Sequence, residues 1–277
     1  MTIDVEDYFQ VQAFADTISR TDWDGFECRV ERNTDAVLAL LDQAGARGTF
    51  FTLGWVAERY PGVVRRIVGQ GHELASHGWS HTRADSQSRP EFRADVSRTK
   101  KLLEDVGGVA VVGYRAATFS IGSGNDWAWE VLADTGYAYS SSVYPIAHDF
   151  YGMPDAPRIP FRPKGANGVI EIPLTTVRFG QRNYPCSGGG YFRLLPYPVS
   201  RWQMRRVNRV ERRPCVFYCH PWEFDPAQPR RPGITLKTRV RHYTGLHRMA
   251  GRLRRLLRDF AWDRMDRVFP ETTAGRT

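Results

Sequence analysis

No run of about 18 apolar residues occurs anywhere in the chain, so nothing in it predicts a transmembrane helix. The N-terminus has no basic segment, apolar stretch and small-residue cleavage site in succession, so no secretory signal is predicted. A cytoplasmic protein is the expectation from these two absences. Cysteine is scarce. Cys28, Cys186, Cys215 and Cys219 have no metal-binding spacing. Cys215 and Cys219 lie four apart on a predicted strand, too far for a simple bridge, and all four are expected as buried thiols. Acidic residues are scarce in one region. Residues 201–258 hold 16 Lys/Arg against three acids, net +13, while the rest of the +9 chain sums to −4. A face so basic suits an anionic membrane surface or an acidic polymer, or is a solvated, arginine-rich helix. No nucleic-acid partner is expected.

Strand-like and helix-like segments alternate along the 277 residues. "MTIDV", "RGTFFTLG", "HELASH", "VVGYRAATF", "YAYSSS", "VIEIPLTTV" and "PCVFYCH" read as strands, being β-branched and aromatic. Between them, "NTDAVLALLDQAG", "AERYPGVVRRIVGQG" (broken or started at Pro61), "SRPEFRADVSRTKKLLEDVG", "NDWAWEVLADTG" and "YPVSRWQMRRVNRVERR" read as helices. Ser88 with Glu91 three residues later and Pro90 between them is a helix-start signature. This alternation predicts an α/β fold on a parallel sheet, open or closed into a barrel. Residues 145–196, rich in Gly and Pro, interrupt it and are expected as loops and short strands at one rim. "PAQPRRPG" predicts a linker after Asp225. Beyond it, Leu246, Met249, Leu253, Leu256, Leu257 and Phe260 form one apolar helical stripe, expected to pack on the domain. Its opposite face is arginine-rich, which suits peripheral membrane contact through this C-terminal helix.

In parallel α/β folds, active residues gather at the C-terminal ends of strands. Asp4 and Glu6 end the first predicted strand. His77 and His81 follow "HELAS", Arg115 lies in "GYRAAT", and His220 closes "VFYCH". Two imidazoles four residues apart can converge on one metal from a helical turn or a turn-like loop. With a carboxylate from another strand end they leave positions open for water, the pattern of a catalytic divalent metal. Zinc is the first expectation for such a donor set, with cobalt or nickel as alternatives. A buried Arg115 should pair with an acid. His220 opens "HPWEF", where Trp222 and Glu223 suit a substrate rim.

The ordered set "TIDVED", "RGTFFTLG", "GHELASHGWSH", "GYRAATFSI" and "VFYCHPWEFD" resembles the polysaccharide deacetylases with a NodB-type domain, carbohydrate esterase family 4, over about residues 2–225. "SSSVYP", "SGGGYFRLLPY" and "RHYTGLHRM" further resemble the subgroup found with bacterial exopolysaccharide and exosortase loci. The resemblance implies a distorted (β/α) barrel over residues 1–225, followed by a basic helical extension, 226–277. It implies metal-dependent removal of N-acetyl groups from the amino sugars of a polysaccharide. By position, Asp4 would be the general base, His77 and His81 metal ligands, Arg115 the residue orienting Asp4, and His220 the general acid. The family's usual adjacent acids are replaced here by "DVE". Residues 4 and 6 of a strand share a side, which makes Glu6 the third ligand and Asp7 the fallback. Ala116 and Ala117 stand where a Pro usually follows the arginine, implying a less rigid backbone. The N–H near Thr118 is the expected oxyanion donor, and Trp222 the expected substrate contact. Two other functions remain open: a related C–N hydrolase acting on a small amide or cyclic ureide, and an inactive glycan-binding module.

Overall fold

The computed structural model describes residues 1–166 and 168–270. The strands and helices are, in chain order, β1 (Thr2–Val5), α1 (Val30–Gln43), β2 (Thr49–Thr52), α2 (Gly54–Arg59), α3 (Pro61–Gly69), β3 (Glu73–Ser76), α4 (Arg89–Gly107), β4 (Gly113–Tyr114), α5 (Trp127–Asp134) and β5 (Tyr139–Ser140). Then come β6 (Ile170–Glu171), β7 (Thr176–Phe179), β8 (Arg182–Pro185), α6 (Gly189–Leu194), α7 (Tyr197–Arg209), β9 (Tyr218–Cys219), α8 (Leu236–Tyr243), α9 (Leu246–Asp259) and α10 (Met265–Val268). None of the described helices is long and apolar enough to cross a membrane.

Seven strands form one parallel sheet in the order β6-β5-β4-β3-β2-β1-β9. The sheet curls strongly. β4 and β1 are three strands apart, which on a flat sheet would be about 14 Å. Yet Arg115, directly after β4, reaches the Thr2 hydroxyl of β1 at 2.8 Å. The result is a half-barrel of (β/α) type, open between β6 and β9. Side chains alternate across its wall with period two. Ile3, Val5 and Phe50 face outward into one core beneath the helices. Phe51, Ala75, Tyr139, Tyr144 and Tyr218 fill the interior.

Several boundaries differ from expectation, each for a physical reason. α1 starts at Val30, a turn before the expected Asn33, because Asp7 reaches across to accept the backbone N–H groups of Arg29 (2.5 Å) and Val30 (2.8 Å). Its orphan donors are thus satisfied by a residue far off in sequence. "VIEIPLTTV" is not one strand. Pro173 cannot continue a ladder, and the chain passes from β6 in the main sheet to β7 in a separate hairpin with β8. "PCVFYCH" supplies only two strand residues, Tyr218 and Cys219. α8 was not expected at all, since its outward face is polar and its buried pair, His242 and Tyr243, sits at one end. All four cysteines are free. Cys186 and Cys219 are buried, but Cys28 and Cys215 are only half-buried, contrary to expectation.

α4 begins where "SRPE" predicts. Glu91 accepts from the Ser88 N–H at 2.8 Å and from its hydroxyl at 2.6 Å. The apolar stripe of α9 joins the same core as Ile3, Val5 and Phe217.

Candidate active site

Every strand that supplies a site residue does so at or just past its C-terminal end. Asp4 is on β1 and Glu6 just beyond it, His77 follows β3, Arg115 follows β4, and His220 follows β9. All but Arg115 line one pocket with a cavity volume of about 250 Å³, together with His81, Thr118 and Trp222. Arg115 lies beneath it, fully buried.

Glu6, His77 and His81 each offer one ligand atom within 4.8 Å of the others, and all three are buried. The loop "HGWSH" makes the turn that points both imidazoles inward. Gly78 sits at φ 74°, and Asp95 pins the turn by accepting the Trp79 N–H at 3.0 Å. Arg20 holds the carbonyl of Ser80 at 2.7 Å and that of His81 at 3.2 Å. His77 Nδ1 lies 2.9 Å from the Arg115 carbonyl and must donate to it, which leaves Nε2 as its free acceptor atom. Glu6 Oε1 accepts the Trp222 indole N–H at 3.2 Å. Glu6 Oε2 is buried and receives no hydrogen bond, though His81 Nε2 is 3.0 Å away. An orphaned carboxylate oxygen facing two imidazoles is a set of electron-pair donors lacking an acceptor, which fits a divalent cation. Burial alone would raise the Glu6 carboxyl, but His81, His220 and His77 outweigh it and hold it down at about 2. Burial lowers His77 to about 4, the neutral form a metal ligand needs. Asp7 is not part of this group, since both its oxygens cap backbone N–H groups.

Arg115 Nη1 donates to Asp4 Oδ1 at 2.6 Å, and its other nitrogens are held by the Ser141 carbonyl and hydroxyl, each at 3.0 Å. The guanidinium lies 4.1 Å above the Phe51 ring. With three fixed partners and no exposure, it fixes the orientation of the Asp4 carboxylate. His220 Nε2 stands 4.0 Å from Asp4 Oδ2 and 3.6 Å from Glu6 Oε1.

Thr118 (φ 56°) and Phe119 (φ 51°) both occupy the left-handed region, as does His81 (φ 53°). All three line the pocket, and such conformations persist only where the surroundings impose them. Hydrogen bonds also tie the Ala116–Ala117 segment to its neighbours. Ser142 Oγ accepts the Ala116 N–H at 2.8 Å, and Ser120 Oγ bridges the Ala117 carbonyl and the Ala84 N–H.

The structure adds Arg193 and His242, which sequence reasoning had not assigned to the site, and gives Glu223, expected at the substrate rim, a direct contact with His220. Glu223 accepts from His220 N at 2.9 Å, lies 3.3 Å from His220 Nδ1, and pairs with Arg193 Nε at 2.8 Å. Burial alone would raise its carboxyl, but Arg193 and His220 hold it at about 2. Burial likewise opposes charge on His220, yet Glu223, Glu6 and Asp4 raise it to about 9. A Cβ on Gly189 would lie 2.0 Å from Glu223 Oε2, so only glycine admits the carboxylate there. His242 stacks on Trp222 at 4.3 Å, and Trp222 on His220 at 5.1 Å, which locks the His220 ring plane. The signals were present: Glu223 three residues after His220, the glycine run "SGGGY", and "RHYTG".

The fold and site define a class: parallel (β/α) half-barrels with a two-histidine, one-carboxylate centre at the strand ends. Comparison with known proteins narrows it. Residues 21–140 match the polysaccharide deacetylase family, and residues 141–270 match a domain of unknown function, DUF3473. Residues 21–140 therefore carry a polysaccharide deacetylase domain, followed by the DUF3473 region as the second half. Asp4 and Glu6 precede the first match, while Arg193, His220, Glu223 and His242 fall in the second. The chain is 34% identical over 77 residues to a peptidoglycan-N-acetylglucosamine deacetylase of Bacillus cereus, a match covering 28% of each protein. It is 27% identical over 147 residues to a chitooligosaccharide deacetylase of Sinorhizobium fredii, 53% of this chain and 62% of that one. The matches thus span less than two thirds of these relatives. A Mycobacterium smegmatis structure assigned as a polysaccharide deacetylase superposes with a TM-score of 0.65 at 20% identity, covering 100% of this chain and 90% of that one. Puue allantoinase shares the fold at a TM-score of 0.57 and 14% identity, covering 88% and 72%.

Proposed function

We propose that this protein is a metal-dependent hydrolase that removes N-acetyl groups from the amino sugars of a bacterial polysaccharide. The observation that carries the reading is Asp4, fixed by Arg115, with His220 4.0 Å from its free oxygen, both beside the Glu6–His77–His81 group. A base and an acid beside one donor cluster suit hydrolysis of an amide, which needs one proton removed and another delivered. A binding module needs neither. The names of the B. cereus and S. fredii relatives support acetylated glucosamine as the sugar class. The segments shared with the exopolysaccharide-locus subgroup support an exopolysaccharide as the polymer.

Glu6, His77 and His81 would hold a divalent cation, zinc before cobalt or nickel, which when bound polarises a carbonyl and acidifies water. Asp4 takes the proton of the attacking water. Arg115 keeps that carboxylate aimed. The Thr118 backbone N–H, set by its left-handed conformation, faces the carbonyl oxygen as negative charge develops there. His220 delivers its proton to the departing nitrogen, without which an amine leaves poorly. The C–N bond breaks, acetate leaves, and a free amine stays on the sugar. Trp222 contacts substrate at the pocket wall beside Phe150, Tyr151 and Tyr191.

The test is acetate release from N-acetylglucosamine oligomers and acetylated exopolysaccharide, with and without a chelator. Turnover that stops on chelation and returns with zinc is the expected result. Hydrolysis of small amides or cyclic ureides alone would replace the polymer reading. Glycan binding without any acetate would make the protein a binding module.

A further inference from the structure

We propose that the face built by α7, α9 and the β7–β8 hairpin docks on an anionic lipid bilayer. The inference does not depend on the reaction proposed above. α7 buries Tyr197, Met204 and Val207, yet its outward side is not simply polar. Val199 is 39% exposed, Trp202 52%, and Val210, just past the helix, 66%. Intervals of three and eight residues, close to one and two helical turns, put them on one side, with Arg205, Arg206 and Arg209 interleaved. The apolar surface continues onto the hairpin. The Trp202 ring lies flat on Phe179, with centroids 5.4 Å apart and planes within 8°, and Tyr184 is 5.8 Å beyond. Phe179, Tyr184, Val199, Trp202 and Val210 are five of the eleven exposed large hydrophobic side chains among the described residues, and Trp202, Phe179 and Tyr184 touch, so this is a patch and not scatter.

The other flank of α7 is strongly cationic. A groove of about 500 Å³ runs between α7 and α9, lined by Arg201, Arg205, Arg255 and Arg258. Asp259 is the one acid lining it, and it is engaged by Arg201 Nε at 2.8 Å and the Tyr197 hydroxyl at 2.6 Å. A cationic groove alone fits any polyanion. Exposed aliphatic and aromatic groups interleaved with arginine fit the boundary between headgroups and acyl chains, where cations meet phosphate and rings and methyls leave water. The patch also adjoins the candidate active site. α6 lines the pocket with Gly190, Tyr191 and Leu194, and α7 starts three residues after Leu194. Docking through α7 would therefore bring the pocket close to the membrane surface.

The test is co-sedimentation of the full chain with vesicles of phosphatidylcholine alone or mixed equally with phosphatidylglycerol, with soluble polyglutamate as competitor. Binding to the anionic vesicles only is expected. Each arginine at an anionic surface contributes about fivefold, so Arg205→Glu with Arg258→Glu should weaken binding at least about 25-fold. Trp202→Ala should weaken it roughly tenfold, equivalent to about 55 Å² of apolar surface left in water. An unchanged unfolding midpoint and unchanged metal content show that the variants are folded. Loss with the arginine variant but none with Trp202→Ala, together with full displacement by polyglutamate, overturns the proposal in favour of a soluble polyanion. Absence of vesicle binding, or binding that neither variant alters, overturns it outright.

Discussion

Asp4 uses its two carboxylate oxygens for different partners: Oδ1 takes Arg115 Nη1 at 2.6 Å, and Oδ2 faces His220 Nε2 at 4.0 Å. The first contact holds the group; the second leaves an oxygen turned into the pocket. An Asn at this position keeps the shape and one acceptor but cannot take a proton from water. Asp4→Asn is expected to retain metal and fold while turnover falls by roughly 10²–10⁴-fold, the usual contribution of a general base. Metal analysis alongside acetate release checks it. If Asp4→Asn loses its metal, Asp4 is a ligand and the base is elsewhere.

Much of this site was legible because its signal is local. Parallel strands deliver side chains at their C-terminal ends, so Asp4, His77, Arg115 and His220 could be grouped from strand prediction alone. The spacing of His77 and His81 sets their shared turn. What escaped is what depends on contacts distant in sequence. Asp7 looks like a site acid in the sequence, but its Oδ2 caps α1, 22 and 23 residues on. Arg193 and His242 bear on His220 through Glu223 and Trp222, and no periodicity marks such a relay. Short strands such as β4 and β9, two residues each, are defined by their neighbours and not by propensity, so the sequence blurred their limits.

His77→Ala and His81→Ala are each expected to lose bound metal and activity together, with the fold retained. Glu6→Gln should do the same, because its carboxylate is the anionic member of the donor group with His77 and His81. Asp7→Asn should keep metal and activity yet lose roughly 1–3 kcal/mol of stability, as a backbone donor of α1 is left without a charged acceptor. Elemental analysis and denaturant unfolding of these four variants separate the cases. Metal lost from Asp7→Asn but kept in Glu6→Gln would reverse the assignment.

A buried acid at the opposite end of the half-barrel makes stability depend on pH. Glu73, at the start of β3, is raised to about 7, first by burial and then by the nearby Asp266 charge. Its proton is thus held more tightly in the folded than in the unfolded chain. That contribution is fully present below the ordinary glutamate range and is lost as pH rises to and through about 7. Glu73→Gln, which can keep the Thr49 and Tyr139 contacts by turning their hydroxyls, should lose this dependence. Unfolding free energies at pH 5 and pH 8 (roughly either side of the transition) check it: the wild-type should lose stability relative to the variant on going up. Parallel behaviour of the two proteins would show that Glu73 is not the group responsible.

Glu223 should set the alkaline limit of activity. It lies 3.3 Å from His220 Nδ1, while Nε2 faces Asp4 and Glu6. A cation held by Glu6 would offset that carboxylate's pull on Nε2, but it leaves the Glu223 contact in place. The Glu223 share of the rise in His220 therefore persists in the loaded enzyme. An acid must be protonated to act, so activity should fall on the alkaline side as His220 loses its proton. In Glu223→Gln the charge is gone and the alkaline limb should move to lower pH. Gly189→Ala should do the same by displacing the carboxylate, whose oxygen a Cβ would meet at 2.0 Å. In His220→Ala the limb should flatten and turnover drop, with metal content unchanged in all three. The pH dependence of kcat/KM for the free enzyme reads these limits directly. An alkaline limb at the same position in Glu223→Gln and in His220→Ala would mean that another group supplies the proton to the departing amine.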